Sequence, residues 1–183
     1  MKTKILLHAC CAPCSVSVVE WLKGAGFEPS IFWFNPNIHP FTEFKMRKQT
    51  LEQFAKSQNL EFINGGHYDF KKFLLLLNGE FKFKTRCQSC YAARLRATVE
   101  FAKKNSFKIF STTLLISPYQ DHEQIVSLAE SFANSFKLKF LYFDFRQFFR
   151  QGQQKAREMG LYMQKYCGCV FSEEERFKKS KIK

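Results

Sequence analysis

Lys4-Ile-Leu-Leu-His8-Ala-Cys10-Cys11-Ala-Pro-Cys14-Ser15-Val-Ser-Val18-Val19-Glu-Trp-Leu22-Lys-Gly-Ala25-Gly26 reads as strand, turn and helix. Lys4–His8 is a short apolar run of strand character. Ser15–Ala25 carries Val18, Val19 and Leu22 on one face, has Ser15 as a candidate N-cap, and stops before Gly26. A strand followed closely by an amphipathic helix is the building unit of a parallel sheet. The alternation continues downstream. Ser30–Phe34 is a second strand, and Asn35-Pro-Asn-Ile-His-Pro40 a loop. Thr42–Gln58 is a helix with Thr42 as candidate cap and Phe44, Leu51, Phe54 and Ala55 inward. Leu60–Ile63 is a third strand and Asp69–Leu77 a helix ended by Asn78–Gly79. Gly79–Gln88 reads as irregular and basic. Cys90–Lys104 is a helix with Ala93, Ala97, Phe101 and Ala102 inward and Arg94, Arg96, Lys103 and Lys104 outward. Lys108–Ser111 is a fourth strand, Asp121–Phe136 a helix, Lys139–Phe143 a fifth strand and Gln151–Gly160 a helix.

These elements predict one α/β domain over residues 1–183, a mostly parallel sheet flanked by helices through right-handed crossovers. A length of 183 residues suits one domain with a core and is short for two. Residues 172–183 read as a charged, partly helical tail. No stretch approaches the ~18 apolar residues of a membrane span. The apolar run before His8 is too short for a signal peptide, so the expected location is the cytoplasm.

The formal net charge is +13, from 29 Lys+Arg against 16 Asp+Glu. A field of that sign attracts polyanions, and nucleic-acid phosphates dominate that class. Aromatic residues interleave with basic ones at Glu80-Phe-Lys-Phe-Lys-Thr-Arg86 and Phe145-Arg-Gln-Phe-Phe-Arg150. That composition suits stacking of unpaired bases, and equally suits half-buried loops in a chain with 23 Phe.

The seven cysteines fall in three tight groups: Cys10, Cys11 and Cys14; Cys87 and Cys90; Cys167 and Cys169. In a cytosolic setting such groups bind metal or do redox chemistry rather than form disulfide scaffolds. Adjacent side chains diverge, so Cys10 and Cys11 reach two irons of a cluster more easily than one tetrahedral ion. Four thiolates complete a 4Fe-4S site, which assigns Cys10, Cys11, Cys87 and Cys90 to one cluster, with a structural zinc site as the alternative. Cys14 sits near a helix start and would ligate a second metal, replace a cluster ligand, or pack. Cys167-Gly-Cys169 would close a small, strained disulfide ring suited to redox exchange; metal ligation is its alternative.

In open α/β sheets ligands bind beyond the carboxyl ends of the strands. Polar groups crowd those positions here: the first cysteines; Asn35, Asn37 and His39; His67, Tyr68 and Asp69; Thr112, Thr113 and Ser117; Asp144 and Arg146. His8, ending a buried strand, reads as a satisfied core histidine. His39 and His67 read as rim-loop groups for proton transfer or RNA contact, and His122 as exposed. Asp144 reads as a metal ligand, a proton donor, or a partner for Arg146.

His8-Ala-Cys-Cys-Ala-Pro-Cys-Ser15, Asn35-Pro-Asn-Ile-His-Pro40, Arg86-Cys-Gln-Ser-Cys-Tyr91, Ser117-Pro-Tyr119, Asp144-Phe-Arg146 and Gly160-Leu-Tyr-Met-Gln-Lys-Tyr-Cys-Gly-Cys169 together resemble the QueH-type epoxyqueuosine reductases. The likeness runs from residue 4 to about residue 170. It implies reduction of the epoxide of epoxyqueuosine at the tRNA wobble position, without cobalamin. Electrons would come from a donor that the sequence leaves unidentified. By matching motif, Cys10, Cys11, Cys87 and Cys90 would hold the 4Fe-4S cluster, and Cys167 and Cys169 would form a redox-active disulfide. The implied fold is that of the adenine-nucleotide α-hydrolases. Those ATPases cradle pyrophosphate in a Gly/Ser-rich first loop; here Ala9-Cys-Cys-Ala-Pro-Cys14 offers thiolates instead, which argues against ATP use. The expected acids for the leaving oxygen are Asp144, His39 and Tyr119. Competing readings are a zinc-binding RNA module, a thiol–disulfide oxidoreductase using Cys87 and Cys90, and an ATP-dependent tRNA-thiolating enzyme.

Overall fold

Strand β1 (Thr3–His8) lies at the centre of the sheet, with Ile5, Leu6, Leu7 and His8 all fully buried. A strand buried on both faces is an unbroken apolar run rather than an alternating one. Each of Ile5, Leu6 and Leu7 contributes ~1.5–3 kcal/mol by leaving water. The computed structural model, which describes residues 2–178, places β1 between β2 (Phe27–Trp33) and β4 (Ile109–Thr112). Beyond them lie β3 (Phe62–Asn64) and β5 (Lys139–Phe140), giving the order β3-β2-β1-β4-β5 with every pairing parallel.

The helices are α1 (Ala12–Gly24), α2 (Phe41–Ser57), α3 (Phe70–Leu77), α4 (Phe83–Lys104), α5 (His122–Phe136), α6 (Phe149–Glu158) and α7 (Val170–Lys178). Neighbouring strand residues point to opposite faces. Phe32 stacks on Phe101 of α4 while Trp33 meets Phe44 of α2 edge-on. Helices therefore cover both faces of the sheet, with α1 against α2 and α6, and α4 against α5. Gly152 lets α6 approach α1 closely: a Cβ there would lie 3.0 Å from Ser17 Oγ. The main core runs across the sheet, and a small satellite of Phe73, Leu77 and Cys169 sits under α7.

Four local expectations are corrected. Helix α1 begins earlier, with Cys11 at the cap position and Pro13 in the first turn. Ser15 is inside it and donates its hydroxyl to Cys11 O at 2.8 Å instead of capping. Helix α2 starts after Pro40, so Thr42 is an interior residue of its first turn. Residues 83–88 are helical rather than irregular, because Arg86 is anchored by Phe81 O (2.7 Å) and Glu175 (2.6 Å). Both Cys87 and Cys90 are thus on α4. Strand β5 is shorter than expected: Phe143 leaves the sheet to pack on Trp21, ring centroids 4.2 Å apart. Of the expected tail, residues 172–178 belong to α7, and residues 179–183 lie outside the described residues.

No helix among the described residues is long and apolar enough to cross a membrane.

Candidate metal centre

The chain runs from β1 outward to β2 and β3, then returns past β1 to β4. The crevice between the carboxyl ends of β1 and β4 is therefore the switch point of the sheet. Three cysteines meet there. Ala9 N donates to Phe32 O at 3.0 Å and Asn35 Nδ2 to Ala9 O at 3.0 Å, which pins the turn after β1. Helix α1 begins immediately, so Cys14 comes round beneath Cys10 and Cys11. The three sulfurs all lie within 4.8 Å of one another, and all three residues are buried. On the β4 side Thr113 Oγ1 accepts from Cys10 N at 3.4 Å and lies 3.8 Å from the Cys10 sulfur. Gln164 donates to the Cys11 sulfur at 3.0 Å and to that of Cys14 at 3.6 Å.

Proton sharing within this triad is uneven. Hydrogen bonds from Cys11 and Cys14 hold the Cys10 thiol well below its usual range, helped by the Arg94 guanidinium and opposed by burial. Burial pushes Cys11 up, and Cys14 rises because its neighbours take the hydrogen bonds that would favour its anion. Of the three, Cys10 is the thiol whose anion the site favours most. His8 behind it is a satisfied core group, as expected: Nδ1 lies 2.9 Å from Thr112 Oγ1, and burial lowers its pKa to about 4.

Arg94 is the residue that sequence reasoning placed wrongly. It was expected outward and is 1% exposed. Its Nε donates to Cys90 O at 3.2 Å, while Nη2 has no partner. Burial works against its charge, and the nearby thiols of Cys90, Cys167 and Cys10 are the groups whose anions would favour it. A buried guanidinium without a carboxylate requires another anion. The available signal was the Cys90-to-Arg94 spacing, which puts both on one helix face. Arg47 is also 1% exposed and fills a gap in the apolar stripe of α2. It pairs with Glu43 at 2.7 Å and donates to Cys167 O and Tyr166 O, each at 2.9 Å. His39 N donates to Gly168 O at 2.7 Å. Gly168 has φ +140°, and a Cβ there would meet Ile38, Asn37 and Arg47. The 166–168 backbone is therefore held against α2 from three sides.

Of the expected cluster quartet, Cys10 and Cys11 are together in the triad. Cys87 and Cys90, one turn apart on α4, are not drawn to the triad's spacing, and Cys14 takes the third place instead. Burial raises Cys87 to about 11 and Cys90 to about 12. All seven cysteines are free thiols. Cys167 is exposed, whereas Cys169 is buried in the satellite core, its sulfur accepting from Ser172 N at 3.4 Å.

A cavity of about 1060 Å³ opens over the site, with Cys10, Cys14 and Cys167 on its wall. Cys87 lines a neighbouring hollow of about 200 Å³ that shares Phe83, Tyr119 and Gln120 with it. Of the three expected acids, Tyr119 is on the cavity wall. Asp144 accepts from Arg146 Nε (2.8 Å) and Nη2 (2.6 Å), and that pairing holds its carboxyl at about 2. It is a capping and ion-pairing residue and a poor proton donor. His39 is buried rather than on the rim, packed against Tyr68, Phe70 and Phe73, and burial lowers it to about 4. His67 is exposed, and His122 contacts Tyr142 at 3.3 Å. In the Phe145–Arg150 stretch Phe145 is fully buried, Phe148 and Phe149 are half-buried, and Arg146, Gln147 and Arg150 are exposed. Phe81 and Phe83 of the other stretch are exposed.

The donor set fits a thiophilic metal. Several thiolate-capable sulfurs face one crevice, and two buried guanidiniums, Arg47 and Arg94, supply compensating positive charge.

Comparisons with known proteins agree with the motifs. The protein named Epoxyqueuosine reductase QueH from Dehalococcoides mccartyi is 35% identical over 179 residues, covering 98% of this chain and 97% of that one. The protein of the same name from Acinetobacter baylyi is 36% identical over 176 residues (92% and 80%). That from Thermotoga maritima is 31% identical over 183 residues (96% and 93%). Among solved structures, a predicted subunit of tRNA methyltransferase from Methanocaldococcus jannaschii has a TM-score of 0.54 at 15% identity, covering 84% of this chain and 76% of that one. This likeness shows the fold alone. Residues 5–175 match the family described as Epoxyqueuosine reductase QueH, and the chain belongs to that family of oxidoreductases.

Proposed function

We propose that this protein reduces the epoxide of epoxyqueuosine in tRNA to the alkene of queuosine, in the cytoplasm and without cobalamin. The observation that carries the reading is the buried sulfur triad at the β1/β4 switch point beneath an open cavity. Cys10, Cys11, Cys87 and Cys90 would hold a 4Fe-4S cluster, which would supply one-electron chemistry. Cys14 would ligate a second, mononuclear metal ion or replace a cluster ligand.

The chain's own groups account for the rest. Converting an epoxide to an alkene and water takes two electrons and two protons. Oxidation of the Cys167 and Cys169 thiols to a disulfide releases two of each, so the step balances. A donor from outside the chain then restores the dithiol. Exposed Cys167 is the thiol that such a donor can reach, and Arg47 holds its backbone at the cavity wall. A modified base cannot meet these groups while stacked in an anticodon, so the nucleotide leaves the stack. A cavity of about 1060 Å³ accommodates an extruded nucleoside.

Anaerobically reconstituted protein incubated with epoxyqueuosine-containing tRNA and a reductant, followed by nucleoside mass spectrometry, tests this. Queuosine is the expected product. No conversion by protein with full iron content and visible absorbance overturns the activity; zinc alone after reconstitution overturns the cluster.

A further inference from the structure

Helix α6 carries two sets of charges that the fold treats differently. Lys155 faces α1 and binds Glu20 at 2.5 Å. Arg150, Gln153, Gln154 and Arg157 recur at helical spacing and all face the cavity. Neither arginine has an acidic partner among the described residues, although both stand on the wall of the largest hollow near the thiols. The acidic wall residue Glu175 is already bound to Arg86 at 2.6 Å. Arg150 and Arg157 are about 10 Å apart along the axis, enough to meet two different phosphates. The same cavity is lined by two large rings that the core does not use: Tyr119 is 79% exposed and Phe83 55% exposed. Phe149 meets Tyr119 edge-on, centroids 5.8 Å apart, and steadies its ring.

A basic, amide-bearing stripe sharing a cavity with exposed aromatic rings is the chemistry that holds unpaired RNA: cations and amides on phosphates, rings under bases. We propose that the cavity-facing stripe of α6 grips the phosphates of a single-stranded RNA loop, while Tyr119 and Phe83 stack a base beside the extruded nucleotide. The inference rests on tRNA being the substrate, and it names the residues that bind the loop. Gly152 is part of the device, since it seats α6 against Ser17 and so sets how far the stripe stands from the thiols.

Binding of a synthetic anticodon stem–loop RNA, free of the modified base, is measured by fluorescence anisotropy across a salt series. Full-length, metal-reconstituted protein is used, with iron content and circular dichroism recorded for every variant. Arg150→Gln/Arg157→Gln should weaken binding roughly 10- to 100-fold at moderate salt, and should lower the slope of log K against log salt by ~1.4, as expected for two single-strand phosphates. Tyr119→Ala should cost ~5- to 150-fold, the range for one stacked base, and Tyr119→Phe should retain affinity. Lys155→Gln, with its charge on the far face, should bind as the parent does. Wild-type affinity and slope in the double arginine variant overturn the proposal. An equal loss in Lys155→Gln also overturns it, because total charge would then explain the binding. If the parent protein binds no stem–loop, the tRNA reading fails together with this one. If it binds and the α6 variants match it, this surface alone is wrong.

Discussion

Two of the chain's three cysteine groups are treated in opposite ways. At the β1–α1 turn three buried sulfurs lie within 4.8 Å of one another at the sheet edge, and buried Arg94 leaves its Nη2 without a hydrogen-bond partner. At residues 167–169 one thiol faces solvent and the other is tucked into a satellite core, with a glycine at φ +140° between them. Nearly buried thiols are largely desolvated and can be charge-balanced for a metal. An exposed thiol on a turn whose backbone is held in place is free to exchange with an outside partner. Equal chemical inventory thus gives two functions, and burial decides which.

The sharpest test of this contrast is removal of a sulfur from the sealed group. Cys10→Ala takes away the member of the triad whose thiol is held lowest. Visible absorbance, iron content and epoxide reduction should disappear together; full activity in a variant that retains no iron would sink the division of labour. Cys167→Ser should leave iron content and stem–loop binding unchanged while blocking repeated turnover by ~10²-fold or more, the usual cost of deleting a redox or nucleophilic group. In the parent, Cys167 should be the thiol alkylated first by iodoacetamide, as read by peptide mass spectrometry. Faster labelling of Cys10 or Cys14 would mean the triad is not sealed.

Arg94→Met probes the charge that makes the sealed site possible. Without metal the thiols can simply be protonated, so the apo protein should unfold at nearly the same temperature as the parent. With metal bound, the thiolates lose their buried counter-charge, a loss of ~3–5 kcal/mol in comparable buried pairs. The variant should release iron to a chelator much faster, followed by loss of visible absorbance. Equal release rates would show that the centre takes its compensation elsewhere.

Much of the architecture was legible from residues, because period and punctuation carry it. The apolar run before His8, the helix starts at Asp69 and Asp121, and the stop at Asn78–Gly79 all stand where expected. Helix starts without a capping side chain were harder. The expected caps Ser15 and Thr42 lie inside α1 and α2, which start at Cys11 and Pro40, where no side-chain hydrogen bond marks the boundary. The start of α4 was hidden for another reason: Arg86 is anchored by Glu175, and no local signal reports a partner 89 residues away. Site residues followed the same division. Cysteines announce themselves by spacing, whereas Arg47 and Arg94 look like surface charges until the tertiary fold buries them. The triad's third member, Cys14, needed the actual helix start to be placed.

Asp144 offers the smallest effect and the cleanest contrast with the sealed site, since it is a perturbed group whose shift serves structure. Its carboxyl sits at about 2 because Arg146 hydrogen-bonds it, below the ~3.9 of an unfolded chain. The folded state therefore holds fewer protons than the unfolded state between those values. The stabilisation is complete above about pH 5 and is lost as the pH falls through 2. Both side chains are about two-fifths exposed, at 39% and 45%, so solvent screens the pair. Asp144→Asn should lower the unfolding temperature at pH 7 by no more than ~2 °C, a difference that shrinks toward pH 3. Its rate of epoxide reduction should stay within about twofold of the parent, against the 10²–10⁴-fold that loss of a general acid costs. A hundredfold fall in rate with unchanged stability would reverse the assignment: it would make Asp144 a group that reaches the substrate and Arg146 the residue that holds its charge in readiness.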